Sequence, residues 1–163
     1  MPHYAPILSG VYVAIFDLPR PRTIAIGRLG RFRFSVGRYL YVGSAQRNLQ
    51  QRLARHARRR KPLRWHIDYL ACHARFVGAL IFEAPGDLEC RLAAMLARSC
   101  ARPVDGFGDS DCRCGGHIFL TCQPSSCIAV GPRNRLHCLP RRMLYNPIAD
   151  AGARSSAGRA TDF

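Results

Sequence analysis

The chain has 163 residues, 48% of them hydrophobic, enough for one domain with a buried core and too apolar for a wholly disordered polymer. Its 25 Lys and Arg against 10 Asp and Glu give a net charge of +15, which points to a polyanionic partner, nucleic acid or a phospholipid surface. The longest apolar run, Phe76 to Phe82, falls far short of the roughly 20 residues that cross a bilayer, so no membrane span is expected.

The opening MPHYAPILSG lacks the charged start and apolar run of a secretion signal, so a cytoplasmic location is expected. The eight cysteines are then reduced thiols rather than a disulfide framework, with Cys72, Cys90 and Cys100 read as small core residues. Charge is unevenly spread. Residues 1–64 hold 14 basic side chains and one acid, Asp17, whereas Glu83, Asp87, Glu89, Asp105, Asp109 and Asp111 follow later.

In chain order, residues 1–9 read as an N-terminal extension and Gly10 to Phe16 as a strand rich in β-branched and aromatic residues. Thr23–Ile26 and Arg31–Phe34 read as a hairpin around Leu29-Gly30, with Arg31 and Arg33 on one face and Phe32 and Phe34 on the other. Arg38–Val42 continues as a strand. Asn48 to Arg60 predicts a helix with Asn48 as N-cap, a buried stripe of Leu49, Leu53 and Ala57, and an end before Pro62.

Trp65–Ala71 reads as a second, short helix, with Trp65 in the core. Arg75–Ala84 reads as a central strand by its apolar run. Gly86–Ser99 predicts a further helix that turns Leu88, Leu92, Met95 and Leu96 inward; a loop at 105–116 and a strand at His117–Thr121 follow. Residues 123–163 show no sustained periodicity and read as a disordered tail. Its last stretch, ARSSAGRATDF, looks like a translated transfer-RNA gene. The fold class expected is α/β, a small, mainly antiparallel mixed sheet flanked by helices, in a domain spanning 10–122.

Arg47, Arg52, Arg55, Arg58, Arg59, Arg60, Lys61 and Arg64 place eight cations in eighteen residues with no acid among them. Such a surface repels itself unless an anion lies on it, and nucleic acid is the leading partner. A membrane surface would need bulky apolar residues on the same helix, and Leu49 and Leu53 are better used in the core.

Arg52 and His56, four apart, share one side of the helix: either they clamp a phosphate and serve a neighbouring oxygen, or Arg52 salt-bridges and His56 packs. Tyr12 and Tyr41 lie in glycine-bearing strands beside this helix. Adjacent arginines would favour phenolate; the plainer reading is two core tyrosines. Glu89, in the first turn of its helix, either satisfies the helix dipole or offers a carboxylate to Mg²⁺. Trp65 and His66 could stack on a base, though Trp65 reads first as core. Cys112, Cys114 and His117, with Cys122 beyond, either bind zinc or pack beneath a loop turned by Asp109 and Asp111.

GVY, YVGSA, RLARH and a Glu opening a later helix occur in the order of the GIY-YIG nuclease superfamily, which residues 10–121 resemble. RYLYVGSA, RWHIDYL and GFGDSDCRCGGHIF are similar to the blocks of its DUF123 branch. The resemblance implies phosphodiester hydrolysis at a one-metal site: Glu89 binding Mg²⁺ or Mn²⁺, Arg52 holding the scissile phosphate, Tyr12 or Tyr41 orienting or deprotonating water, and His56 assisting proton transfer. The 28 residues between Tyr12 and Tyr41 carry the inserted hairpin typical of that branch. The Asn that many superfamily nucleases carry after the Glu has no counterpart in residues 90–122. A metal-dependent endonuclease acting on DNA, or else RNA, is therefore expected. The alternatives are a non-catalytic nucleic-acid-binding module of the same fold and a zinc-stabilised interaction protein.

Overall fold

Strand β1, Gly10–Leu18, runs through the middle of a sheet because both of its faces are apolar: Tyr12, Ala14 and Phe16 on one side, Val11, Val13 and Ile15 on the other. It pairs antiparallel with β4 (Gly37–Ala45) and β5 (Arg75–Phe82). β6 (Ile118–Leu120) extends the sheet beyond β4, and β7 (Arg142–Tyr145) beyond β5. The order is β6-β4-β1-β5-β7, and every pairing is antiparallel. This computed structural model describes residues 8–121 and the strand at 142–145. Residues 1–7, Cys122 and the rest of the expected tail lie outside the described residues. Four residues of that tail are strand, a partner for the edge that β5 would otherwise leave open.

The inserted hairpin is present as β2 (Arg22–Ile26) and β3 (Gly30–Phe34), a separate two-stranded sheet with Arg31 and Arg33 exposed and Phe34 buried. It packs beside α2, its Ile24 and Ile26 meeting the core that Ile67 and Leu70 enter from that helix.

Helices α1 (Leu49–Ala57) and α2 (His66–Ala71) cover the Tyr12 face, and α3 (Leu88–Leu96) covers the Val11 face. Burial of Leu49 and Leu53 contributes about 1.5–3 kcal/mol each, which fixes the roll of α1 on the sheet. The third inward residue is His56, only 1% exposed, and not Ala57. Likewise α3 buries Ala93 in place of Met95, which is 39% exposed.

Two helix ends differ from expectation. Asn48 precedes α1 in a left-handed conformation, φ 56°, with no side-chain cap; its carbonyl accepts from Arg52 N at 3.1 Å. α1 stops at Ala57 rather than Arg60 because the chain folds back there. Lys61 Nζ then donates to the carbonyls of His56 (3.4 Å) and Arg55 (2.8 Å), the latter also accepting from the Arg58 amide at 3.2 Å. Among the described residues no helix is long and apolar enough to cross a membrane.

Candidate active site and metal cluster

The register of β1 and β4 sets Tyr12 opposite Gly43 and Tyr41 opposite Ala14, so both phenols leave the same face of the sheet, with ring centroids 6.4 Å apart. Gly43 is required by this arrangement. A Cβ there would lie 2.6 Å from the Tyr12 hydroxyl, so any side chain would displace the ring. His56 enters the same space from α1, its Nε2 2.8 Å from Tyr12 Oη.

These groups wall a polar pocket of about 240 Å³. Arg52 and His56 come from α1, Arg64, Trp65 and His66 from the start of α2, and Glu89 from the first turn of α3. Gly108, Ser110 and Asp111 complete it from the loop before β6. The structure thus brings together Tyr12, Tyr41, Arg52, His56 and Glu89. It also adds Ser44 and Ser110, which the sequence alone does not single out, and Asp111, read there only as a turn residue.

Arg52 is held in place rather than loose on a helix face. Its Nη1 donates to the Ser44 carbonyl at 2.7 Å, and its guanidinium lies 4.6 Å from the centre of the Trp65 ring. Trp65 is 37% exposed, not core, and stacks against Arg55 as well. His66 Nδ1 accepts from the Gly108 amide at 3.0 Å, which ties the loop to α2.

The electrostatics correct one expectation about the tyrosines. Burial drives the Tyr12 hydroxyl well above its usual value, and Tyr41 adds to the effect despite Arg52. Tyr41 is raised too, first by burial and then by Glu89. Neither is a phenolate at neutral pH. Burial, together with Lys61, lowers His56 to about 3, so this imidazole is neutral in the folded protein. Burial acts to raise the Glu89 carboxyl, but the His117 ring and the Ser44 hydroxyl overcome it and leave Glu89 below its ordinary value.

The basic segment divides in two. Arg55 Nη2 lies 2.7 Å from Asp68 Oδ2 and Lys61 Nζ 3.4 Å from Asp68 Oδ1, around a carboxylate with no exposed surface. Asp68 Oδ2 also accepts from the amides of Arg64 and Trp65. Arg55 and Lys61 are therefore half-buried and paired with Asp68, whereas they were expected at the nucleic-acid face. Arg47, Arg58, Arg59, Arg60 and Arg64 are exposed; of these, Arg59 reaches the His73 carbonyl at 3.5 Å.

On the far side of Glu89 lies a second constellation. Cys90, the residue after Glu89 on α3, meets Cys112, Cys114 and His117 with all four donor atoms within 4.8 Å of one another. Cys114 Sγ is 2.7 Å from Cys90 Sγ and 3.0 Å from Cys112 Sγ, and Cys112 Sγ is 3.4 Å from His117 Nε2. Cys90 is thus not a core residue, and it takes the fourth place beside the expected three. Cys72 and Cys100 are also only half-buried. Cys112 is lowered, as contacts with Cys114 and Cys90 outweigh burial, while Cys114 is raised by burial and by both neighbours.

A family described as "Domain of unknown function DUF123" matches residues 11–131. The chain belongs to this family. The match runs from β1 past β6, so both the pocket and the thiol cluster lie within the DUF123 region. Neither a curated protein nor a solved structure matches the chain.

Proposed function

We propose that this DUF123 domain is a metal-dependent nuclease hydrolysing phosphodiester bonds of DNA, of the GIY-YIG kind its sequence resembles. The observation that carries this reading is the convergence of Tyr12, Tyr41, Arg52, His56 and Glu89 on one open, polar pocket. Exposed Arg58, Arg59 and Arg60 follow the helix that supplies Arg52 and His56, a surface suited to the phosphate backbone.

Arg52, aligned by Ser44 and Trp65, would hold a non-bridging oxygen of the scissile phosphate with its remaining N–H donors. Tyr12 and His56 would work as a pair. Tyr12 Oη, donating its own proton to the neutral His56 Nε2, would accept a hydrogen bond from the attacking water and orient it, so no phenolate is required. Tyr41 would orient the water from the other side. Glu89, half-buried beside a pocket with room for water and phosphate oxygens, fits Mg²⁺ or Mn²⁺, ions satisfied by one or two carboxylates. Such an ion, when bound, supplies the Lewis acidity that offsets charge on the leaving oxygen.

Zinc suits the Cys90, Cys112, Cys114 and His117 set: three thiols and an imidazole are its usual structural ligands. With bonds of about 2.3 Å, tetrahedral donors lie roughly 3.8 Å apart, inside the 4.8 Å span observed. Reduced thiols at such a centre accord with a cytoplasmic location.

The test is incubation of the full chain with end-labelled linear duplex, branched DNA and RNA, with Mg²⁺ or Mn²⁺ and then with chelator. Cleavage that needs the divalent ion supports a nuclease. Salt-sensitive binding without cleavage of any substrate would replace it with a non-catalytic binding module.

A further inference from the structure

His117 faces two ways. Its Nε2 points at the thiols, 3.4 Å from Cys112 Sγ, while Nδ1 lies 3.0 Å from Glu89 Oε1. The ring is 2% exposed, and Nδ1 is buried off the line of an aligned hydrogen bond. Among the described residues Glu89 is its only ion-pair partner. Only one tautomer serves both neighbours: the proton on Nδ1, toward the carboxylate, and the lone pair on Nε2, toward the thiols.

We propose that Glu89 is the positioning residue for a zinc centre, fixing His117 so that Nε2 ligates the ion, and that zinc loading in turn holds Glu89 at the pocket wall. The inference rests on the zinc reading above and not on cleavage. Its physical basis is general: a ligating imidazole commonly donates its other N–H to a carboxylate, which sets ring angle and tautomer and raises ligand basicity. Here the outer carboxylate also lines the pocket. Cys90 and Glu89 are adjacent on the first turn of α3, so one element enters both the cluster and the cavity. The loop 105–116 does the same, carrying Cys112 and Cys114 beside Gly108, Ser110 and Asp111. Loss of the ion would therefore loosen the pocket wall from two directions.

The test reads zinc affinity in the full chain by competition with a chromogenic chelator, with no nucleic acid present. Glu89→Ala is expected to weaken zinc about tenfold or more, and Glu89→Gln, which retains an acceptor oxygen, to weaken it less. His117→Cys supplies a control that keeps four ligands but removes the imidazole. In that background Glu89→Ala should change zinc affinity by less than twofold. Equal affinity in the native chain and Glu89→Ala overturns the proposal. So does an equal loss from Glu89→Ala in both backgrounds, or a native chain that binds no stoichiometric zinc. A chain that binds zinc as expected and cleaves nothing would instead defeat only the nuclease reading.

Discussion

Tyr12 Oη and His56 Nε2 lie 2.8 Å apart, the phenol from the central strand and the imidazole from the helix packed on it. Both are buried, and the contact gives His56 Nε2 a polar partner within the protein. Tyr12→Phe should lower cleavage by about 10²-fold, from loss of the hydroxyl that orients the water, and cost about 1–3 kcal/mol from the stranded imidazole. Paired rate measurements and urea unfolding would separate the two effects.

The neutrality of His56 makes a pH prediction. Its folded value of about 3 lies below the ordinary 6.5, so between these the unfolded chain takes up a proton that the native chain refuses. Stability should therefore fall as pH drops from about 6.5 toward 4, before the carboxylates Asp17 and Asp68, both lowered below 3.8, become protonated. His56→Gln should flatten this slope in denaturant melts across that window.

Asp68 anchors the segment between α1 and α2, taking Arg55, Lys61 and two backbone amides on one buried carboxylate. Asp68→Ala would leave Arg55 and Lys61 without their counter-ion and is expected to destabilise the fold by about 3–5 kcal/mol. Chemical denaturation would show it. A change below 1 kcal/mol would mean that this segment is held by something else.

Trp65 stands at the rim of the pocket with two guanidiniums against its ring. Replacing it with Ala should weaken DNA binding by roughly tenfold, the value of one base–aromatic stack together with a less well aligned Arg52. The effect should fall on KM more than on kcat. In contrast, Arg58, Arg59 and Arg60 are exposed just beyond the end of α1, and changing all three to Ala should lower the slope of log Kd against log salt by about 3.

Strands β1 to β6 were legible because they carry both-sided apolar runs or clear alternation, as in GVYVAIF and RFRF, whereas β7 lies in residues read as a tail. The basic helix was equally clear from Leu49 and Leu53. His56 was harder. The spacing 49, 53, 56 is itself a helical face, but a polar residue in the third place diverts attention to Ala57. Nothing local marks the direction of Arg55 and Lys61, since it is decided by Asp68 on another element. Cys90 is similar: it stands 22 positions before Cys112, and only the docking of α3 against the loop brings the two together. Met95 reads as apolar and turns outward because Ala93 already fills the contact with the sheet. The order of the motif blocks suggested Tyr12, Tyr41, Arg52 and Glu89 as a group; their common pocket follows from strand register and helix roll, which a linear sequence does not display.

The most direct measurement is nicking of supercoiled plasmid with Mg²⁺ or Mn²⁺ by the native chain and by Glu89→Ala, with DNA binding followed in parallel. The native chain is expected to nick the plasmid, and the variant to lose at least 10²-fold in rate while still binding DNA in a salt-sensitive manner. Equal nicking by both proteins, or binding by the native chain with no nicking under either ion, would contradict the nuclease reading.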